Sequence, residues 1–291
     1  DGRIYGRGSS DVKGGMAAML WAFRRLVLEQ PAGAANVIMS CTCDEESTTL
    51  GIHHLASYWL EPNGASKLLS EPPTGAIVAE PTLLDVVVAH RGATRFRIRT
   101  RGRACHSSDP SQGVNAIYRM ARLIQCLEEY AEILPQQVTP HPLCGSPTFS
   151  VGLISGGASV NVVPDECVIE IDRRVVPGED TEQIPGQIEA FLRARLDFDF
   201  ECDPPWLNGM TLNNDDNEWL ASGLLEHVAE VDGPHKAVGV PYGTHASRTS
   251  GAGVPSVVFG PGSIDQAHTK DEWLEIDQLE KAAEVYFRCC V

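Results

Sequence analysis

Apolar and polar residues follow two different periods along the chain, and the change of period divides it into parts. The apolar positions of residues 14–29 recur at the three- and four-residue spacing of an amphipathic helix. The β-branched run at 36–43 predicts a buried strand, a second helix is expected over 48–60, and 76–79 predicts a short buried strand. Alternation of strands and helices is typical of a doubly wound α/β sheet.

The middle of the chain, residues 90–202, follows a different order of elements. It opens with strict two-residue alternation of polar and apolar side chains, which indicates a half-buried strand. The order strand, helix, strand, strand, helix, strand is typical of a ferredoxin-like two-layer sandwich. The predicted elements are a strand at 94–99, a helix at 114–134, strands at 149–154 and 167–176, a helix at 182–196 and a strand at 197–201.

The α/β pattern returns after Pro204 and Pro205. We therefore expect one discontinuous α/β domain, residues 1–89 and 203–291, into which residues 90–202 are inserted as a second domain. The returning elements are a helix at 217–231, a strand at 255–259 and a closing helix at 276–290.

Composition narrows the functional class. Lys and Arg number 23 against 39 Asp and Glu, and the net charge of −16 argues against a nucleic-acid-binding groove. The nine cysteines form no CxxC pair, so we expect free thiols in a reducing, cytoplasmic compartment. No apolar run approaches the roughly 20 residues of a membrane span, so a membrane partner is not expected.

Three consecutive carboxylates, Asp44, Glu45 and Glu46, follow the strand predicted at 36–43. Bare charge at the exit of a buried strand costs free energy unless it is compensated. The carboxyl ends of strands are also where open α/β sheets build ligand sites. One acid that binds a cation and another that accepts a proton would explain the triplet, although acids are also common at helix N-termini.

Further potential ligands lie beside other predicted elements: Asp11 in GRGSSDVKGG, Glu80 in AEPT and His268 in QAHTKDE. Carboxylates together with one imidazole suit a divalent ion of the zinc type. Each residue taken alone also has a structural interpretation. Asp11 would cap the helix that follows it, Glu80 would end a strand before a proline, and His268 would be an ordinary loop histidine.

Taken together, these clusters match a known family in order and spacing. The chain resembles the co-catalytic zinc amidohydrolases and metallopeptidases that include acetylornithine deacetylase, succinyl-diaminopimelate desuccinylase, carboxypeptidase G and the aminoacylases. The resemblance implies a zinc-peptidase-like catalytic domain with an inserted lid or dimerisation domain, and hence a homodimer. It runs from Asp1 to Val291 and rests on the segments GRGSSDVKGG, DEES, AEPT, ACHSSDPSQGVNA, GGASVNVVP, DRRVVPG and GPGSIDQAHTKDE.

Carried over residue by residue, the resemblance implies a two-ion site. Asp11 corresponds to the carboxylate that bridges two divalent ions, and Glu46 and His268 correspond to the terminal ligands of one of them. Glu80 corresponds to a ligand of the other ion, and Glu45 to the general base. An unligated glutamate beside a metal ligand is suited to take a proton from water and deliver it to the leaving amine.

The resemblance also assigns residues of the inserted domain. His106 in ACHSSDP corresponds to a histidine that reaches across a dimer and polarises the scissile carbonyl. Asn161 and Arg174 correspond to residues that bind the substrate carboxylate, which suits the planar donor fork of arginine. Arg173 is expected on the opposite face of the strand. An alternative interpretation of His106 is an ordinary surface histidine.

Two features depart from the family pattern. The family's other metal-binding signature, a histidine and an aspartate separated by one residue, precedes the DGxxxGRG segment at which this sequence starts. We therefore expect a fragment of a longer product that is weakly active or inactive by itself. The second departure is His245 in YGTHAS, where relatives usually carry an acid. We expect His245 to lie near the substrate, with an additional metal ligand as the alternative.

The function implied by the resemblance is hydrolysis of the amide bond of an N-acyl amino acid, most like acetylornithine deacetylase. Two zinc ions, or cobalt, are the expected cofactors, and the expected partners are a small-molecule substrate and a second copy of the chain. Desuccinylation of a diaminopimelate precursor and carboxypeptidase-like cleavage remain open. An alternative of another class is a non-catalytic dimerisation or binding module that has lost one metal site.

Overall fold

The computed structural model describes residues 1–61, 66 and 68–291. The chain forms two compact units, one made of Asp1–His90 with Leu212–Val291 and the other of Arg91–Thr211. In chain order the elements are β1 (Arg3–Tyr5), α1 (Gly14–Glu29), α2 (Leu50–Leu60), β2 (Ala76–Val78), β3 (Val86–His90), β4 (Gly92–Arg101), α3 (Ala116–Gln137), β5 (Thr148–Gly156), β6 (Glu166–Val175), α4 (Ile184–Arg193), β7 (Phe200–Cys202), β8 (Leu207–Gly209), α5 (Glu218–Asp232), β9 (Ala237–Val240), α6 (Ala246–Gly251), β10 (Ser256–Val258), β11 (Trp273–Glu275) and α7 (Ile276–Arg288).

The first unit is built around a mixed sheet with the strand order β2-β10-β3-β9. Strand β10 pairs in parallel with β2 and antiparallel with β3, and β3 pairs in parallel with β9. Val86 and Val257 pack with α1, α5 and α7 on one face, whereas Val87 and Val258 pack with Ala246 of α6 on the other. Helices on both faces confirm the predicted α/β class, because a sheet with two covered faces buries both sides of each strand.

The second unit confirms the predicted βαββαβ order. Its antiparallel sheet has the order β5-β6-β4-β7, and β8 adds to β4. Helices α3 and α4 cover one face and share a continuous apolar core with it, in which Phe96, Met120 and Ile188 are fully buried. The other face carries the polar residues of the alternating strands, as the two-residue period requires.

The boundaries between the two units along the chain differ from the predicted ones. The prediction ends the insertion at residue 202, whereas the second unit extends to Thr211. The reason is that β8 pairs antiparallel with β4, with Asn208 opposite Thr94. Pro204 and Pro205 therefore lie within the inserted unit and separate β7 from β8.

The buried strand predicted at 36–43 is wrong. This segment is extended but forms no strand, and the side chain of Ile38 is 48% exposed. β-Branched residues form a strand only where a neighbouring strand offers hydrogen-bond partners, and none of the described strands pairs with this segment. The acidic triplet therefore follows an unpaired extended segment rather than the end of a sheet strand.

Candidate metal centre and active site

Asp11 lies in a turn, Ser9–Lys13, that leads directly into α1, and its own backbone is not helical, with φ of −118° and ψ of 91°. Glycine is required at Gly8 because of its backbone conformation and at Gly14 because there is no space for a side chain. Gly8 adopts a left-handed conformation with φ of 84°, and a Cβ at Gly14 would lie 2.3 Å from the side chain of Leu274. The glycine-rich motif thus allows the backbone to turn sharply, which leaves the side chain of Asp11 partly buried beside the first turn of α1.

The acidic triplet occupies a turn before α2. Asp44 has a positive φ of 62°, and its carboxylate accepts hydrogen bonds from the backbone N–H and the hydroxyl of Thr48. Its backbone carbonyl accepts a hydrogen bond from Thr49, with 2.7 Å between nitrogen and oxygen. Asp44 therefore stabilises the turn itself, which leaves Glu45 and Glu46 available for other contacts.

The structure brings Asp11, Glu46 and His268 together, although they are far apart in sequence. His268 Nε2 lies 2.7 Å from Glu46 Oε1 and 3.2 Å from Asp11 Oδ2. One potential ligand atom from each of the three residues lies within 4.8 Å of the others. In the described part of the chain, this is the one group of three or more such side chains with that geometry.

Burial and mutual repulsion dominate the electrostatics of the acids. Burial, followed by the charges of Glu46 and Asp11, raises the pKa of Glu45 from 4.5 to about 7. Burial and then the charge of Glu46 also raise the pKa of Asp11. The pKa of Glu80 is raised well above its ordinary value by burial and next by the charge of Glu45. Glu80 is thus electrostatically coupled to the cluster without belonging to the group of three.

These observations fit a divalent cation held by Asp11, Glu46 and His268. Two carboxylate oxygens and one imidazole nitrogen form a donor set that zinc accepts, with room for a further ligand. A cation would also relieve the repulsion that raises the pKa values of the neighbouring acids. In the chain as described, Asp11 and Glu80 are not joined by a third residue that would complete a second group of ligands.

The imidazole of His106, in the second unit, has one nitrogen engaged. His106 Nδ1 accepts a hydrogen bond from the backbone N–H of Ser108 at 3.2 Å and lies 2.8 Å from the Ser108 hydroxyl. A neutral ring that accepts at Nδ1 carries its proton on Nε2. The exposed side chain can therefore present an Nε2–H donor.

The two arginines of the DRRVVPG segment face opposite sides of β6. Arg173 is 1% exposed and pairs with Glu179 on the side of the helices. Arg174 lies on the other face, where its Nε donates to Asp172 Oδ1 at 2.7 Å. Asn161 is exposed, and its side-chain oxygen accepts a hydrogen bond from the Ser159 hydroxyl. Arg174 is thus the arginine that a ligand on the open sheet face can reach.

His245 is buried in the first unit with one unsatisfied nitrogen. Its Nδ1 lies 3.1 Å from the Thr42 hydroxyl, whereas its Nε2 has no hydrogen-bond partner. Burial, followed by the positive charges of His53 and Arg248, lowers the pKa of His245 to about 4. The ring is therefore neutral at pH 7, and it is not part of the Asp11, Glu46 and His268 group.

Two residues near the acids were not predicted from the sequence. Burial and then the charge of Glu80 raise the pKa of Tyr242, which places a phenol that stays protonated near this acid. Glu272 is 2% exposed, and its carboxylate accepts hydrogen bonds from the backbone N–H groups of Gly8, Ser10 and Asp11. The only signal for Glu272 in the sequence is its position four residues after His268.

The chain is similar to a described family model and, over nearly its whole length, to named relatives. The family model described as a peptidase dimerisation domain matches residues 88–199. The acetylornithine deacetylase of Myxococcus xanthus is 31% identical over 99% of this chain and 72% of its own length. The chain belongs to the M20 metallopeptidase family. An acetylornithine deacetylase of Vibrio campbellii is 30% identical over 100% of the M20 chain and 73% of its own length.

Solved structures support the same fold for the M20 chain. The aminopeptidase PepT of Bacillus cereus superimposes with a TM-score of 0.75 at 19% identity, over 100% of this chain and 74% of that one. An M20 family metallo-carboxypeptidase of Sulfolobus solfataricus gives a TM-score of 0.68 at 18% identity, over 100% and 77% of the two chains. The M20 chain is therefore a metal-dependent hydrolase of the amidohydrolase and peptidase class.

Among the described residues, no helix has both the length and the apolar character that crossing a bilayer requires.

Proposed function

We propose that the M20 chain hydrolyses the amide bond of an N-acyl amino acid, with acetylornithine or a similar compound as substrate. The observation that carries this proposal is the convergence of Asp11, Glu46 and His268 beside Glu45. The names of the M. xanthus and V. campbellii relatives support the choice of substrate class. Succinylated amino acids and peptides are the competing substrates within the family.

We propose zinc as the native cofactor, with cobalt as the alternative. Asp11, Glu46 and His268 would hold one ion, and Asp11 and Glu80 would contribute to a second. A bound divalent ion supplies Lewis acidity, which polarises an amide carbonyl and lowers the pKa of water. The raised pKa values of Asp11 and Glu80 support the second position, because burial and the neighbouring acids disfavour their negative charge when no cation is present.

Glu45 is proposed as the general base. Its neighbour Glu46 is a proposed ligand, so the Glu45 carboxylate lies beside the metal position without being part of the group of three. Because it is not a member of the ligand group, this carboxylate stays free to accept a proton from water. The proton that Glu45 takes from water would then go to the nitrogen of the leaving amine.

His106 is proposed to donate its Nε2–H to the oxygen of the scissile carbonyl in the active site of a second copy. The bonds that engage Nδ1 support this role, because they leave Nε2 as the donor. A homodimer is supported by the match to a peptidase dimerisation domain and by β5, which ends the sheet of the second unit. Leu153 and Ile154 of β5 are 63% and 57% exposed, so this edge presents apolar surface.

Asn161 and Arg174 are proposed to bind the α-carboxylate of the substrate. Arg174 already pairs with Asp172 on the open sheet face, so a substrate carboxylate would compete with this aspartate for the guanidinium. His245 is proposed to affect substrate specificity, since its neutral ring offers an unsatisfied Nε2. An amine or hydroxyl group of a substrate could form a hydrogen bond with this nitrogen.

The direct test is turnover by the purified full-length gene product loaded with Zn²⁺ or Co²⁺, measured with N-acetyl amino acids, N-succinyl amino acids and dipeptides. We expect release of free amino acid from N-acetyl substrates and loss of this activity in Glu45→Gln. Asp44→Asn is the matched control, because an asparagine oxygen can still accept the hydrogen bonds from Thr48. Its activity should remain close to that of the wild type.

Metal analysis decides between the enzyme and the non-catalytic module. Metal bound by the wild type, together with turnover that disappears in Glu45→Gln, supports the proposal. A full-length gene product that binds no divalent ion and releases no amino acid from any substrate of the panel would refute it. Preferential hydrolysis of succinyl compounds or dipeptides would redirect the substrate assignment within the family.

A further inference from the structure

Glu272 is a buried acid that joins two separate ligand segments. The residue is 2% exposed and lies on the segment that carries His268, immediately before β11. The carboxylate accepts hydrogen bonds from Gly8 N at 2.7 Å and from Ser10 N and Asp11 N at 2.9 Å each. Ser10 and Asp11 belong to the Ser9–Lys13 turn, and Gly8 directly precedes it, so one side chain organises the backbone around the proposed ligand Asp11.

These three N–H groups depend on Glu272 because the turn offers them no carbonyl partner. Within the turn, Ser9 N donates to Gly6 O and Lys13 N donates to Gly8 O, which satisfies the groups on either side. Backbone N–H groups that are shielded from water need an acceptor. Although burial by itself raises the pKa of Glu272, the bonds from Asp11, Gly8 and Ser10 outweigh it, and the pKa is lowered.

Arg7 extends the contact to the loop of His268. Its Nη1 lies 3.2 Å from Glu272 Oε2, and its Nη2 donates to the carbonyl of Thr269 at 2.8 Å. Thr269 follows His268, which itself adopts a positive φ of 60°. Arg7 therefore binds Thr269, which follows the proposed ligand His268, and Glu272 binds the backbone N–H of the proposed ligand Asp11.

We propose that Glu272 is a positioning residue, which holds Asp11 and His268 at the separation that a divalent cation requires. The proposal rests on the metal site of the proposed function and adds a residue that touches neither metal nor substrate. Removing a group that hydrogen-bonds to a metal ligand without touching the metal typically weakens metal binding by about 10- to 100-fold. Glu272 has this position for Asp11, because it binds the backbone and leaves the Asp11 carboxylate free for the cation.

The test measures metal affinity rather than turnover. Metal-free wild type, Glu272→Gln and Glu275→Gln are titrated with Co²⁺, and binding is followed by calorimetry and by the visible spectrum of the bound ion. Glutamine retains one carbonyl oxygen but places an NH₂ group against backbone N–H donors, so it cannot satisfy all three. Glu275→Gln is the matched control, since Glu275 lies on β11 and forms an ion pair with Arg3 at 3.6 Å, with 43% of its side chain exposed.

We expect Glu272→Gln to bind Co²⁺ about 10- to 100-fold more weakly, with an altered spectrum, and Glu275→Gln to match the wild type. Equal affinity and an unchanged spectrum in Glu272→Gln would overturn the proposal. If circular dichroism shows that Glu272→Gln is unfolded, Arg7→Gln replaces it, because Arg7 is 63% exposed at its side chain. A loss of about tenfold is then expected, and wild-type affinity would overturn the proposal.

Co²⁺ binding by the wild type and by Glu272→Gln separates the metal site from the positioning role of Glu272. If the wild-type chain binds no Co²⁺, the metal site of the proposed function is wrong. If the wild type binds Co²⁺ and Glu272→Gln binds it equally well, the metal site stands and only the positioning role of Glu272 is wrong.

Discussion

Replacing Glu45 by glutamine should make the metal-free protein more stable at alkaline pH while it removes the proposed catalytic base. Burial, Glu46 and Asp11 raise the pKa of Glu45 from 4.5 to about 7, so the folded protein binds this proton more tightly than the unfolded chain does. The contribution of this proton to stability is complete below pH 4.5 and is lost as the pH rises through about 7. Glutamine resembles the protonated carboxyl group and does not titrate.

The size of the effect follows from the two pKa values. A rise from 4.5 to about 7 corresponds to about 3 kcal/mol, since one pKa unit is equivalent to about 1.36 kcal/mol. This value is an upper limit, because the carboxylate is only partly buried and water screens part of the repulsion. Removing the charge of Glu45 also changes the protonation of Glu80, because burial and then the charge of Glu45 raise the pKa of Glu80. The measured difference in stability therefore includes a contribution from Glu80.

The assay is urea denaturation in the presence of a chelator at pH 5 and pH 8, for the wild type and Glu45→Gln. At pH 8, we expect the free energy of unfolding of Glu45→Gln to exceed that of the wild type by up to about 3 kcal/mol, and at pH 5 the two should be much closer. Asp44→Asn controls for the loss of a neighbouring acid in the same turn. A stability difference between Glu45→Gln and wild type that is the same at both pH values would refute the reasoning.

Three further predictions concern other parts of the structure. Glu179→Ala should lower the free energy of unfolding, measured in urea, by about 3–5 kcal/mol, because it removes the ion-pair partner of buried Arg173. Arg97→Ala is the comparison variant: it breaks an exposed ion pair and should cost less than about 1 kcal/mol. Equal losses of stability in the two variants would contradict this prediction. His268→Ala should weaken Zn²⁺ binding by more than about 100-fold in calorimetry, since it removes the one nitrogen donor of the described group, and wild-type affinity would exclude His268 as a ligand. Asn217→Ala should lower the free energy of unfolding by about 1–3 kcal/mol, because two buried strand carbonyls lose their donor, and an unchanged urea midpoint would contradict this.

The inserted unit was predictable nearly element by element because its signals are local. The alternation at 94–99 lies within β4, and the helix predicted at 114–134 corresponds to α3. Each strand of this unit has one covered and one open face, so the two-residue period is visible in the sequence. The first unit was harder, since Val86–His90 is buried on both faces and shows no alternation.

The predicted strand at 36–43 shows where local propensity is insufficient. Its residues favour extended backbone, and the segment is indeed extended, but no described strand lies beside it. A strand is a relation between two segments, so the hydrophobic pattern of one of them cannot establish it.

The sequence by itself determined which residue types are available for chemistry, because the ligand motifs are short and each contains its own carboxylate or imidazole. It could not determine that His268 and Glu46, 222 positions apart, come within 2.7 Å of each other. Nor could it distinguish Glu272 from the other 38 acidic residues of the chain. Only the tertiary structure decided these points, since a buried carboxylate acquires its role from the N–H groups and charges that folding places around it.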